Sequence, residues 1–423
     1  MAVASRQSRS PDVADAAVGV REKRGPAPGT DAQGRVVWDG RVRHLYVHVP
    51  FCAHKCEYCA FFSEVPRGDL MDRYVAALGR ELELVAADLK PRTIYFGGGT
   101  PSLLTLKHWE TLLRQMARLS LLGADEFTVE CNPATVSPDK ARLLREFGVN
   151  RISMGVQSLD EDLLDRLGRI HSRAQVFQSF AALRAAGFDN LNLDLMFAIP
   201  GQTMAVWRET LREAQALGSE HLSSYEVIYE EDTALFAQLK AGAFDVDEDL
   251  ACGMYEELVG TAVAGGYRQY EVANFARHRG PAPAEVPDRA CQHNVNYWRG
   301  GSFYGLGPSA TGYVRGVRTR NWANTQLYCE RLERGRRAFE SREELSPKAR
   351  AGELLAFGLR MNAGWPFADF AELTGFDLRG EWAEDIAWLV AQGFAQLAAD
   401  RLQLTARGLR FADLAAERVL RPE

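Results

Sequence analysis

The sequence predicts an α/β fold: a partial (β/α)6 TIM-like barrel followed by a small C-terminal domain of helical, winged-helix-like character. Three observations carry this. Between residues 43 and 235, six short apolar runs each precede an amphipathic stretch, and successive parallel strands need such helical crossovers. Six units fall short of the eight that close a complete barrel. Past residue 240 the alternation stops, and 345–423 reads as short helices followed by FAQLAADRLQLTARG, a hairpin-like pair of strands.

The elements follow in order. RHLYVHVPF reads as the first strand and runs into a cysteine loop. From Leu70 to Leu89, Val75, Leu78, Leu82 and Val85 recur on one helical face. RTIYFGGGT is a second strand, and Leu106–Leu121 a helix. EFTVECNP is a third strand, and SPDKARLLREFG a helix with Ser137 at its N-cap and Pro138 in its first turn. RISMGVQS is the fourth, with helical segments through Leu164 and Leu183; NLNLDLMFAIPG is the fifth, with a helix over Val206–Leu217; HLSSYEVIY is the sixth. An amphipathic helix spans Asp247–Ala264, and a Pro-rich loop (277–289) leads into CQHNVNYWRGGSFYGLGPSATGY, dense in glycine and aromatics. The chain thus divides into a poorly ordered leader (1–42), a barrel core (43–275), a connecting region (276–344) and a C-terminal domain (345–423).

Composition narrows the class. Of 423 residues, 46% are hydrophobic and 25% charged, as in soluble globular chains. A net charge of -6 with no long basic run lacks the positive footprint of a nucleic-acid binder. No apolar run reaches the ~20 residues of a membrane helix. The leader lacks the apolar segment of a secretory signal. Seven cysteines, an odd number without such a signal, suit a reducing cytoplasm and metal chemistry more than a disulfide framework.

Cys52, Cys56 and Cys59 form C-x3-C-x2-C within VHVPFCAHKCEYCAFF. Structural zinc needs a fourth ligand, and His54 lies too close to Cys56 to supply it without strain. On a four-iron cluster, three thiolates leave one iron open to a small molecule. GGGTPS (97–102) lacks the G-K-[ST] of a phosphate loop, but glycines allow close backbone approach to a ligand. Glu130 and Asp194 lie in strongly apolar strands, where an unpaired carboxylate is costly; ribose hydroxyls or an ammonium group would serve them. Gln157 is a further polar residue at a strand end, and Arg169 could clamp a carboxylate.

With Tyr58 just before the last cysteine, the motif resembles the radical S-adenosylmethionine superfamily. The resemblance implies a radical S-adenosylmethionine barrel and a 4Fe–4S cluster on Cys52, Cys56 and Cys59. It also implies S-adenosylmethionine chelating the open iron through its amino and carboxylate groups, with Tyr58 facing the adenine. YVHVPFCAHKCEYC, FGGGTPS, ECNPAT, GVQS, LGRIHS, NLDLMFAIPGQ and YEVANFA narrow the resemblance. They are similar to the branch that holds oxygen-independent coproporphyrinogen III dehydrogenases and related haem chaperones, from about Leu45 to the chain's end apart from the Pro-rich loop. That branch implies cofactor contacts at Tyr46, Tyr58, Gly98, Gly99, Thr100, Glu130, Gln157, Arg169 and Asp194. Some of these could serve a second molecule of S-adenosylmethionine.

Two features separate the branch's members. The dehydrogenases carry a further cysteine two positions after the third; here Phe61 stands there, as in the chaperones. HNVNYW (293–298) resembles the chaperones' H-N-x-x-Y-W signature. His293 offers an imidazole, the proximal haem ligand of many proteins. Asn294 belongs to the same signature, and Tyr297 and Trp298 can pack on a porphyrin face. Cys291 reads as a buried thiol, with a second haem ligand or a covalent attachment point as alternatives. The expectation is a cytoplasmic haem chaperone that passes haem to apo-haemoproteins such as respiratory-chain cytochromes. A haem donor, a homodimer and peripheral contact with the inner membrane through partners complete it. The alternative is an enzyme that decarboxylates coproporphyrinogen III to protoporphyrinogen IX.

Overall fold

The six apolar runs become six parallel strands that stand side by side in chain order. They are β1 (Val42–Val49), β2 (Leu89–Gly98), β3 (Glu126–Cys131), β4 (Arg151–Gln157), β5 (Leu191–Phe197) and β6 (His221–Glu226). Their crossovers are α1 (Leu70–Val85), α2 (Leu106–Arg118), α3 (Pro138–Glu146), α4 (Glu161–Arg166) with α5 (Arg173–Ala185), and α6 (Met204–Ala216). This is the expected (β/α)6 order, seen in a computed structural model that describes residues 40–280 and 284–421. The expected leader therefore lies almost wholly outside the described residues, as does the middle of the Pro-rich loop. Local chemistry sets the helix starts: Ser137 accepts from the Lys140 amide at 3.2 Å, with Pro138 in the first turn of α3.

The sheet continues past six strands. After α7 (Ala234–Lys240) and α8 (Glu248–Ala264), β7 (Tyr267–Glu271) and β8 (Asn274–Arg277) form a hairpin, with β8 antiparallel to β6. Then come α9 (Gln292–Trp298) and the three-residue β9 (Tyr304–Leu306), which pairs parallel to β1 at the opposite edge. The sequence reading anticipated none of these three. The hairpin turn, Val272–Ala273, carries no glycine or asparagine signal, β9 is too short to show a period, and α9 starts at Cys291 without a side-chain cap.

Alternation divides the two faces of the strands. Leu45, Val47, Ile94, Phe96, Ile152, Met154, Leu193 and Leu195 face the helices in one large core with Leu78, Leu82 and Leu112. The opposite face is polar: Glu126 and Glu130 on β3, Arg151, Ser153 and Gln157 on β4, Asn192 and Asp194 on β5. Closed barrels more often fill that side with branched apolar residues. Here hydrogen bonds make the burial tolerable. The Asn192 amide donates to Ser153 Oγ at 2.7 Å and to Asp194 Oδ1 at 2.8 Å, and its oxygen lies 2.6 Å from His221 Nδ1. Against this polar face sits α9, pinned by the buried Glu126. Its carboxylate accepts from the Gln292 amide (2.9 Å), the His293 amide (3.0 Å) and Cys291 Sγ (3.6 Å).

Beyond β9, β10 (Thr311–Val314), β11 (Val317–Asn321) and β12 (Phe339–Glu344) form a separate antiparallel sheet around α10 (Thr325–Glu333). This region reaches back to α1 through Glu81. That buried carboxylate accepts from the Gly307 amide (2.9 Å), Asn321 Nδ2 (2.9 Å) and the Tyr328 hydroxyl (2.7 Å). The C-terminal part begins with α11 (Pro347–Leu359) and has its own core, including Leu355, Trp365, Phe370, Trp382 and Leu402. Short helices and the antiparallel strands Trp365–Pro366, Arg401–Leu404 and Ala395–Leu397 give it the expected winged-helix-like layout. Among the described residues, no helix is long and apolar enough to cross a membrane.

Candidate functional site

A cavity of about 490 Å³ opens at the C-terminal ends of the strands, where parallel barrels build their sites. Cys52, Cys56 and Cys59 all reach its wall, with Tyr58 between the last two. The loop is held by its backbone: the Cys52 amide donates to Glu64 O (3.1 Å) and the Glu57 amide to Leu167 O (3.1 Å). Cys52 Sγ lies 3.5 Å from Thr100 Oγ1, and Arg169 Nη1 donates to Cys56 Sγ at 3.5 Å. Burial pushes the Cys59 thiol up, and the neighbouring Cys56 and Cys52 add to this.

The three free thiols fit an iron–sulfur cluster. Among the described residues, no three His, Cys, Asp or Glu side chains converge closely enough for a single metal ion. Arg169, which donates to Cys56 Sγ, supplies a positive neighbour for a cluster's charge.

Gly98, Gly99 and Thr100 also line the cavity. Sequence reasoning gave the glycines the task of letting a ligand approach. In the structure their bare Cα atoms face the protein. Gly98 has φ +104°, and a Cβ there would stand 2.5 Å from the His48 ring; at Gly99 it would stand 2.8 Å from the carbonyl oxygens of both Val49 and Phe51. The glycines thus let β2 close onto the strand end that carries the cysteines, an approach secured by Gly99 N to Val49 O (2.8 Å) and Thr100 N to Phe51 O (2.7 Å). Gly99→Ala is therefore expected to destabilise the fold by about 1–3 kcal/mol and to loosen the cysteine loop. Unfolding curves and iron retention during gel filtration check this; wild-type values for both would refute the packing role.

Glu130 and Asp194 face the same cavity. Glu130 accepts from the Tyr95 hydroxyl (2.8 Å) and the Gly98 amide (3.2 Å). Burial pushes its carboxyl up to about 7, and the Asp194 charge adds to this. Asp194 accepts from Ser153 Oγ (3.1 Å) and Asn192 Nδ2 (2.8 Å), and burial raises it as well. Each carboxylate thus has protein donors, yet both face open space, where hydroxyl or ammonium groups of a ligand can complete them. Arg169 Nη2 donates to Gly155 O at 2.7 Å, while its Nε is buried without a partner among the described residues. Gln157, also on the wall, ends β4 at φ +65°, a conformation uncommon for a residue with a side chain.

Tyr95, Arg151, Ser153 and Ser223 also line the cavity, and sequence reasoning missed them. Their signal was present: in RISMGVQ every second residue, from Arg151 to Gln157, shares one face. Tyr46 is set back from the wall, its hydroxyl 3.2 Å from His48 Nδ1 and its ring against Tyr95 and His293.

The H-N-x-x-Y-W signature is placed differently from expectation. Of its four marked residues only Asn294 lines the cavity. His293 is 0% exposed. Its Nδ1 lies 2.7 Å from Thr93 Oγ1, its Nε2 lies 2.8 Å from the Tyr297 hydroxyl, and its ring stacks on Tyr95 at 5.3 Å. Burial holds the imidazole well below its ordinary pKa. Both nitrogens are engaged, so the expected iron ligand is closed off in this structure. Tyr297 packs on Phe303 at 4.4 Å, and Trp298 lies away from the cavity under the Arg360 guanidinium at 4.9 Å. Cys291 is fully buried, its thiol pushed up to about 12 by burial.

The chain is similar to known proteins along most of its length. Residues 46–214 match the radical SAM superfamily, and residues 345–411 match the HemN C-terminal domain. The haem chaperone HemW of Lactococcus lactis is 33% identical over 377 residues, 89% of this chain and 96% of its own. HemW of Escherichia coli is 34% identical over 87% of this chain and 95% of its own. The mitochondrial radical S-adenosyl methionine domain-containing protein 1 of Bos taurus is 32% identical over 92% of this chain and 87% of its own. Among solved structures, the E. coli coproporphyrinogen III oxidase HemN superposes with a TM-score of 0.77 over 90% of both chains at 22% identity, which speaks for the fold.

Proposed function

Because this chain belongs to the haem chaperone HemW family of the radical S-adenosylmethionine superfamily, we infer that it binds haem and delivers it to apo-haemoproteins, and that it carries a 4Fe–4S cluster and S-adenosylmethionine. The likeness to haem chaperones over nearly the whole of both chains carries this reading. Cys52, Cys56 and Cys59 would hold the cluster. When bound, the cluster supplies an open iron for the cofactor's amino and carboxylate groups and a source of electrons. Glu130 and Asp194 would accept hydrogen bonds from the cofactor's hydroxyl and ammonium groups, Arg169 would balance negative charge beside Cys56, and Gly98, Gly99, Thr100, Gln157 and Tyr58 would complete the wall. Respiratory cytochromes are the proposed recipients, the cytoplasm the proposed compartment, and a homodimer the proposed assembly.

The test uses the anaerobically reconstituted full chain. Haem-loaded protein mixed with an apo-cytochrome is expected to yield holo-cytochrome. Coproporphyrinogen III, S-adenosylmethionine and a reductant should yield no protoporphyrinogen. Robust porphyrinogen turnover without haem transfer would replace the chaperone reading with the dehydrogenase one.

Glu130 predicts a pH dependence. Its folded value of about 7 stands above the ordinary 4.5, so this group's contribution to stability falls as pH rises between those values. A donor placed on its carboxylate by the cofactor favours the charged form. Cofactor binding should therefore release protons near pH 6.5 and strengthen from about pH 6 to about pH 8, by up to about tenfold per unit below the folded value. Calorimetry in two buffers of different ionisation enthalpy measures the release; none at all would remove Glu130 from the binding contacts.

A further inference from the structure

The surface where α1 meets α10 carries positive charge that the fold does not use. The two helices pack together, and Arg73 on α1 holds Glu333 at the end of α10 with two hydrogen bonds, at 3.0 and 3.2 Å. Arg80 follows Arg73 along α1. Arg331, Arg334, Arg336 and Arg337 crowd the turn that ends α10, where the Arg334 and Arg336 amides both donate to Arg331 O, at 3.2 and 2.9 Å. The Arg73 hydrogen bonds hold the Glu333 carboxyl below its usual range, and the charges of Arg80 and Arg334 add to this, so folding gathers these groups on one face. Arg337 stands over the Phe339 ring at 5.3 Å. Elsewhere exposed arginines find carboxylates, as in Arg114–Glu110 and Arg212–Glu209. Here Arg80, Arg334, Arg336 and Arg337 are exposed, and among the described residues neither they nor Arg331 make an ion pair. Arg331 and Arg334 suit the negative end of a helix. That leaves Arg80 within α1, and Arg336 and Arg337 beyond α10, without a structural task, although like charges held together repel. Two large apolar side chains stand exposed among them: Phe339 (37%) and Leu84 (46%), the latter one turn past Arg80.

We propose that this face is a peripheral membrane surface: Arg80, Arg334, Arg336 and Arg337 rest on the anionic phosphate headgroups of a bilayer, with Phe339 and Leu84 set into the interface. A guanidinium pairs well with phosphate, and each cation near an anionic leaflet strengthens the attachment. Two isolated apolar side chains are too few for the apolar centre of a protein interface, but they suit the boundary between headgroups and acyl chains. Such attachment is reversible and needs no spanning helix, and the described residues contain none. None of these side chains lines the cofactor cavity, so the surface and the cavity can work at the same time. The proposal goes beyond the haem-chaperone reading, and its test needs no haem.

The test sediments the full chain with vesicles. It is expected to bind vesicles holding about 30% phosphatidylglycerol in phosphatidylcholine and not phosphatidylcholine alone, and to bind at least about tenfold more weakly at about 0.3 M salt than at about 0.05 M. Arg336→Glu combined with Arg337→Glu reverses two exposed charges outside the helix, and is expected to weaken binding at least about tenfold with an unchanged thermal midpoint. Arg212→Glu, on α6, should bind as the wild type does. Should the double variant unfold early, Phe339→Ser decides in its place, with an expected loss of about threefold. No binding to the phosphatidylglycerol vesicles, or equal binding to both compositions, overturns the proposal, as does a folded double variant that binds like the wild type. Binding of the wild-type chain to poly-glutamate but to neither vesicle would assign the face to an acidic protein instead. The haem-chaperone reading stands or falls separately, on the transfer of haem to an apo-cytochrome.

Discussion

A chain carrying Cys56→Ala, reconstituted anaerobically with iron and sulfide, is expected to retain less than about a tenth of the wild-type iron, because metal–thiolate bonds supply most of the energy that holds such a site. Cys56 sits between Cys52 and Cys59 in one loop and accepts from Arg169 Nη1 at 3.5 Å. Its loss leaves two thiolates for four irons and removes the anion beside a guanidinium whose Nε already lacks a partner among the described residues. Cofactor binding should fail with it, since the chelating iron is gone. Cys52→Ala and Cys59→Ala should behave alike. Cys252→Ser, outside the cavity wall, should keep full iron and sulfide. Iron assays on all four variants decide: full retention in any of the three loop variants would exclude that cysteine as a ligand.

Replacing Glu126 by glutamine is expected to cost about 3 kcal/mol of folding stability. The carboxylate is 5% exposed, and its two oxygens share three donors from Cys291, Gln292 and His293. An amide offers one acceptor oxygen and turns a donor toward backbone N–H groups that need acceptors. Arg151, on the same buried face, loses a balancing charge. The start of α9 should therefore loosen, uncovering His293 and Cys291. Urea unfolding measures the first effect, and alkylation of Cys291, 0% exposed in the wild type, the second. Wild-type stability together with an unreactive Cys291 would show that α9 is held by its aromatic contacts instead.

The barrel was legible because each of its six strands is apolar on the helix side and a helix can announce its start, as at Ser137. The cofactor wall was legible where residues are chemically unusual: three close cysteines, three glycines in a row, a carboxylate within an apolar run. Arg151 and Ser153 were missed because a polar residue in a strand reads as solvent-facing until the partner strands show that both faces are buried. His293 shows the reverse case. Its neighbours in sequence are aromatic, which suggests a porphyrin, but Tyr95 and Thr93, some 200 residues away, already occupy its ring and Nδ1, and Tyr297 occupies Nε2. A motif states which residues travel together and leaves open which of them meets the ligand.

The order of synthesis sets a constraint on this protein. Every residue on the cavity wall except Asn294 has been made by Glu230. Yet among the described residues the outer edge of β1 pairs only with Tyr304–Leu306, and Glu81 finds its partners 226 to 247 residues downstream. At ~5–20 residues per second, translation leaves these groups waiting for roughly 10–50 s. During that interval an uncovered strand edge is a template for pairing with other chains. The nascent chain must therefore shelter an almost complete cofactor pocket until its closing strand emerges, and fragments that end near residue 235 should aggregate although they contain all three cysteines.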